Sequence, residues 1–280
     1  MLIRVLGLSY RVVGTTLSEY NNRSPLNHIL SRNNWIDNID ARSIDSICNV
    51  ISRVKPSVVI NCIGLIKQKM TPESNIDAIQ LNSLFPHQLS EICKMTNSRL
   101  IHFSTDCVFN GAPGIKFAKD TPTATDLYGL SKLLGEVQEG PALTLRTSVV
   151  GRQIFGAESL FEWAISQRGS SVRGYRHAIY TGLTTLELSN IVKRVIESQP
   201  YLVGLHQVAS APISKYDLLV ALSKLLKLEL HIEEDTDFQC DRTLDGTEFT
   251  SLTGIEVSSW ESMLNQFAAD QNYYENLLIE

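Results

Sequence analysis

Three short apolar runs rich in β-branched residues punctuate the first half of the chain, with helix-period segments between them. The runs are PSVVINCIG (56–64), RLIHFSTDCVF (99–109) and ALTLRTSVVG (142–151), and GLHQVAS (204–210) is a fourth. They are continuous rather than alternating, as strands covered on both faces are. Between them, Ser43 to Val54 has apolar residues at 44, 47, 50, 51 and 54, one stripe of a helix. Asn82 to Met95 carries Leu84, Leu89 and Ile92, and a short helix is expected from Tyr128 to Val137, after the turn-prone TPTATD. Such alternation predicts an α/β fold with a Rossmann-like, doubly wound parallel sheet, whose ligands bind beyond the carboxyl ends of the strands.

The chain has 280 residues, 43% of them hydrophobic, enough for one large domain or two closely joined ones. We expect a dinucleotide-binding domain over 1–151. Residues 152–280 are expected to form a smaller C-terminal substrate-binding lobe with some elements returning to the main sheet. Helices are expected there at 158–167, 184–198 and 214–228, alternating with polar connectors. A net charge of −5 lacks the electrostatics of general nucleic-acid binding. The apolar run MLIRVLG is too short for a signal peptide, and Lys224 and Lys227 interrupt the apolar stretch Leu218 to Leu230, so no membrane association is expected. The five cysteines include no C-x-x-C pair, which points to a reduced, cytoplasmic setting and no metal site.

The opening, MLIRVLGLSYRVVGTT, predicts a first buried strand from Leu2 to Leu6 that ends at Gly7. A glycine-rich turn and a helix N-terminus should then hold a pyrophosphate. Yet the next glycine is Gly14. In one reading Ser9 caps a degenerate helix to about Tyr20. In the other, preferred for the β-branched Val12, Val13, Thr15 and Thr16, YRVVGTT is the second strand and the first helix is missing. The first βα unit is therefore expected to be altered or to lack its helix.

The residues with chemistry lie elsewhere. Tyr128-Gly-Leu-Ser-Lys132 puts a phenol and an ammonium four apart on one helix face. A nearby cation favours phenolate, and such a tyrosine can protonate an alkoxide as hydride reaches a carbonyl carbon. About twenty residues upstream, STDCVFNG (104–111) follows a strand. It offers the Thr105 hydroxyl to a carbonyl and Asp106 as an acceptor for a sugar hydroxyl. The plainer reading of each piece alone is a solvated pair and a polar turn.

Together these pieces resemble the extended short-chain dehydrogenase/reductase superfamily, and within it the dTDP-4-dehydrorhamnose reductase family. The resemblance runs from Pro56 to about Phe249 through VVINCIG, LNSLFPHQL, STDCVFNG, YGLSK with GE at 135–136, LTLRTSVVG and HQVASAPISKYDLL. It implies a reductase that uses NADPH or NADH on the keto group, at C4, of a nucleotide-activated deoxysugar, for surface polysaccharide synthesis. It implies Thr105, Tyr128 and Lys132 as catalytic residues, with Tyr128 the proton donor, Lys132 its tuner and ribose ligand, and Thr105 the carbonyl anchor. Cys62, Ile63 and Gly64 match the strand end that passes the cofactor, Asp40 the acidic residue on the adenine side, and Gly7 and Ser9 the first turn. In the family's glycine pattern, Tyr10 and Val13 stand at the second and third glycine positions, which predicts weakened cofactor binding.

Cys107 stands where tyrosine is common, a subfamily mark on the substrate side with Asp106. Arg173 and Arg242 are candidate substrate ligands, with Arg176 and His177 beside the first. Arg242 suits a diphosphate, or else a surface ion pair with Asp241 or Asp245. Arg23 could meet a 2′-phosphate. A second copy of the chain is the expected protein partner. Two rivals stand: a non-catalytic regulatory or binding member of the family with an impaired cofactor site, and a nucleotide-sugar epimerase or dehydratase. The second lacks the acidic pair a dehydratase needs, since Thr105-Asp106-Cys107 supplies one carboxylate.

Overall fold

A computed structural model describes residues 1–19, 34–154, 156 and 158–279. Four parallel strands form the main sheet: β3 (Val58–Asn61), β4 (Arg99–Thr105), β5 (Ala142–Thr147) and β9 (Gly204–Gln207), in the order β3-β4-β5-β9. All four apolar runs therefore form strands of the main sheet, each strand ending short of its run's last residues. Neighbouring residues of a strand face opposite sides. Leu100 and Ala142 pack with Ile47, Ile51, Phe85 and Leu89 on one side. Ile101, Leu143 and Leu145 pack with Phe161, Ile191, Val195 and Leu218 on the other.

Helix α2 (Ile44–Val54) matches the expected stripe, with Ile47 and Ile51 buried. The expected helix over 82–95 is longer and composite: α3 (Asn75–Ala78), a π-helical turn (Ile79–Leu84) and α4 (Phe85–Met95). Helix α5 spans Leu127–Leu134 and stops at Gly135. Beyond β5, α6 (Leu160–Ser166), α7 (Thr185–Ser198) and α8 (Lys215–Leu226) start after the side-chain caps Ser159, Thr184 and Ser214. Strand β9 carries the second half of the chain back to the main sheet.

The stretches expected as polar connectors hold the longest strands. β7 (Ser171–Tyr180) pairs in parallel with β11 (His231–Arg242), and short β10 (Ile213–Ser214) lies antiparallel to β7. Much of β11 is exposed, so its sequence carries little hydrophobic signal. The short pair β6 (Val149–Val150) and β8 (Leu183–Thr184) is also parallel. Helices α9 (Thr247–Thr253), α10 (Trp260–Ala269) and α11 (Gln271–Ile279) close the described chain.

The opening differs most from expectation. Leu2–Leu6 is a helix, α1, not a strand. Strand β1 covers only Gly14–Thr15 of YRVVGTT and pairs with β2 (Trp35–Ile36) in a two-stranded sheet separate from the main one. Leu2–Leu6 is thus helical where a strand was expected, and no helix follows it over residues 8–19. Among the described residues, β3 pairs only with β4. Leu2, Val5 and Leu6 recur at helical spacing. Leu6 is buried, Leu2 packs on the main core, and α1 lies against α7. Arg4 holds Asp270 through two bonds of 2.6 and 2.8 Å and stacks 3.7 Å from the Tyr273 ring centre. A five-residue apolar run fits either periodicity, so these contacts decide its form.

Candidate active site

Strand β4 ends at Thr105 because the chain turns there into a single 3₁₀ turn, Asp106–Val108. Thr105 caps that turn, its Oγ1 accepting from the Cys107 N–H at 3.1 Å. Asp126 caps α5, its Oδ1 accepting from the Gly129 N–H at 2.8 Å. The next residues lie against the strand-end turn. A Cβ at Gly129 would sit 2.3 Å from the Cys107 carbonyl oxygen, and one at Gly135 would sit 1.8 Å from that of Asn82. Those glycines let α5 approach closely enough to put Tyr128 and Lys132 beside Thr105 in one cleft of about 820 Å³. That volume suits an organic ligand of substantial size.

Burial pushes the Tyr128 phenol up to about 12, and Thr105 beside it opposes that rise. The phenol is thus protonated at neutral pH, the form needed to donate. Burial also lowers Lys132 to about 8, with Glu136 opposing. The ammonium donates to the Phe103 carbonyl at 2.6 Å. Here burial outweighs the phenolate-favouring effect expected from the lysine. Half-buried Cys107 is likewise pushed up, to about 12, by burial and Asp106.

Beneath these groups lies a polar frame that sequence reasoning missed. Glu136 accepts from Ser104 at 2.6 Å and from Arg146 Nε and Nη2 at 2.9 and 2.7 Å, with both ion-pair side chains 2% exposed. Asn82, fully buried on the π-helical turn, accepts from Leu65 N–H at 2.8 Å. It donates to the Leu65 carbonyl at 3.0 Å and to Ser131 Oγ at 3.1 Å, tying the loop after β3 to α5. Asn61 Oδ1 accepts from Ile63 N–H at 3.0 Å, so its amide N–H₂ faces His102 Nδ1 at 3.1 Å. This network assigns the ring hydrogen to Nε2. Burial holds the His102 imidazole neutral, well below its ordinary pKa. A lone Asn or Glu inside an apolar segment was the signal available for this frame.

Cys62, Ile63, Gly64, Asp106, Cys107 and Arg242 also line the cleft. Arg242 arrives there because its register partner on β7 is Tyr180, which lines the cleft too. Its Nη1 donates to the Phe109 carbonyl at 3.1 Å. Four expected site residues lie elsewhere. Gly7 closes α1 in right-handed helical geometry, and Ser9 is exposed after it. The Asp40 carboxylate is taken by Arg42 at 2.8 Å, which lowers its pKa. Arg173 stands seven residues before Tyr180 on an extended strand, about 23 Å away at 3.3 Å per residue. It is exposed and 3.7 Å from Asp235. Its neighbour Arg176 is held by Glu234 and Asp217 at 2.6 and 2.7 Å. Arg23 lies outside the described residues.

The fit to a dinucleotide is therefore split. Lys132, Tyr128 and the loop 62–64 suit a nicotinamide ribose. Among the described residues no strand runs into Gly7, and the expected glycine cradle for the diphosphate is not formed there.

A family model described as RmlD substrate binding domain matches residues 3–162. A dTDP-4-dehydrorhamnose reductase of Burkholderia thailandensis is 29% identical over 119 residues, covering 41% of this chain and 40% of that protein. The methionine adenosyltransferase 2 subunit beta of Danio rerio is 26% identical over 197 residues, covering 66% of this chain and 60% of its own. The chain thus spans about half the length of these curated relatives. In fold it matches a crystal structure of the Bacillus anthracis dTDP-4-dehydrorhamnose reductase in complex with NADP. The TM-score is 0.76 at 17% identity, over 92% of this chain and 98% of that one.

Proposed function

The chain belongs to the RmlD substrate binding domain family, and from that premise we propose that its cleft reduces the C4 keto group of a nucleotide-activated deoxysugar with NADPH or NADH. The observation that carries this reading is the convergence of Thr105, Tyr128 and Lys132 on one cleft at the strand ends. Bound NAD(P)H would supply the hydride. Tyr128 gives its phenolic proton to the keto oxygen, so C=O becomes CH–OH, and Lys132 steadies the phenolate left behind. Thr105 holds the oxygen, and Asp106, Cys107 and Arg242 face the sugar. In this reading residues 1–151 carry the cofactor and 152–280 complete the substrate side. The reaction is a cytoplasmic step toward surface polysaccharide, carried out by a protein that pairs with its own copy.

The missing cradle favours a second reading, a binding or regulatory member of the family. One of the relatives is itself named as a subunit of another enzyme. Titration with NADPH and NADH, followed by quenching of Trp35, Trp163 and Trp260, tests the first reading. Saturable micromolar binding is expected, followed by turnover of a dTDP-4-keto-6-deoxy sugar that Tyr128→Phe lowers by about 10²–10⁴-fold. No binding at millimolar cofactor overturns the reductase and leaves the binding protein.

A further inference from the structure

Asp106 faces the sugar in the proposed reaction, and it also binds the Thr105 hydroxyl. Its side chain is on the floor of the cleft, and the residue is 3% exposed. Its Oδ1 accepts from the Thr105 hydroxyl at 3.1 Å, while Thr105 Oγ1 accepts from the Cys107 N–H at 3.1 Å. A hydroxyl has one hydrogen and two lone pairs. With the hydrogen on Asp106 and one lone pair on Cys107 N–H, only a lone pair remains for the cleft that Thr105 and Tyr128 both line. In this arrangement Thr105 can accept from the phenol but cannot donate to a keto oxygen. It therefore lacks the hydrogen that a carbonyl anchor must offer.

The surroundings allow the arrangement to change. Asp106 is faced by Arg242 from β11, by Cys107 on its own turn and by Ser148 after β5. Tyr128 from α5 and Tyr180 from β7 also face it. Burial raises the acid's pKa above the ordinary carboxylate value, and the Arg242 guanidinium opposes that rise. The Tyr180 hydroxyl is buried with no hydrogen bond formed, and Ser148, which lies beside both Tyr180 and Asp106, opposes the rise in the acid's pKa in the same sense as Arg242.

We propose that Asp106 is a positioning residue whose proton sets the direction of the hydroxyl chain Tyr128–Thr105–Asp106. Ionised, it draws the Thr105 hydrogen inward, and the Tyr128 hydrogen follows it onto Thr105. Protonated, it donates to Thr105 and turns both hydrogens outward, where two donors can meet one keto oxygen. The kinetic consequence rests on the reductase reading, but the chain itself can be tested without substrate.

The full-length protein, labelled with ¹³Cζ-tyrosine and free of ligands, is followed by NMR from pH 4.5 to 9, with the Tyr128 signal assigned from Tyr128→Phe. The expected result is a step in the Tyr128 shift at a pH above that of an ordinary aspartate. The step disappears in Asp106→Asn and shrinks by more than half in Thr105→Val, which keeps the charge but cuts the chain. No step in the natural protein, or a full-size step in Thr105→Val, overturns the proposal. Thr105→Val decides the matter even if Asp106→Asn fails to fold. With a 4-keto nucleotide sugar, kcat/KM should fall about tenfold per pH unit above that step and lose this dependence in Asp106→Asn. A natural protein that turns over no keto sugar sinks the reductase reading alone, and the NMR result still decides the role of Asp106.

Discussion

Two parts of the first 151 residues behave differently. At the strand ends of β3 and β4, the residues singled out for chemistry all reach one cleft. At the N-terminal segment, Gly7 and Ser9 reach none of it. The difference lies in what fixes the backbone. Around Thr105 and Tyr128 every turn has a local cause: the Thr105 cap, the Asp126 cap and the close approach at Gly129. Around Gly7 the local signal is five apolar residues, and partners distant in sequence, α7 and Asp270, decide their form.

The contrast can be broken most forcefully at the buried frame. Glu136→Gln should cost about 3–5 kcal/mol, because it leaves Arg146 charged and poorly paired in the interior. Urea unfolding would read this, and a loss below about 1 kcal/mol would show that the frame is dispensable. Next comes Lys132. Its folded pKa is lowered from 10.5 to about 8. Between those values the unfolded chain binds more protons, so this group makes stability rise with pH. The rise should be on the order of 1–3 kcal/mol across that window and should vanish in Lys132→Met. Unfolding free energies at several pH values check both the sign and its loss.

Two glycines sharpen the comparison directly. Gly129→Ala forces a Cβ onto the Cys107 carbonyl and should cost about 1–3 kcal/mol, with reduced turnover. Gly7→Ala should change NADPH and NADH affinity less than twofold, since Gly7 does not line the cleft. Calorimetry with both variants tests the pair, and a large affinity loss at Gly7 would return that glycine to the cofactor site. The smallest effect is expected at Arg173. Its pair with Asp235 is 3.7 Å long and exposed, so Arg173→Ala should alter stability by about 0.5 kcal/mol or less. Nucleotide-sugar binding should be unchanged.

Continuous β-branched runs separated by helical stripes set the parallel sheet, because burial on both faces leaves that pattern in the residues themselves. The spacing of Tyr128 and Lys132, with a turn-forming STDC upstream, marked the candidate site, because a helix face and a strand end are local geometries. Tertiary structure decided the rest. Leu2–Leu6 became a helix because α7 receives it. Asp40 was lost to the cleft because Arg42 claims its carboxylate. Strand β11, the partner of β7, escaped notice because an exposed strand carries little hydrophobic signal. Their register then placed Arg242 in the cleft and left Arg173 at the far end of the same sheet. The sequence by itself determined which segments could be strands and which residues could carry chemistry. Where those residues lie on different elements, long-range packing and pairing decided which of them would meet, since neither contact leaves a mark on its neighbours in the chain.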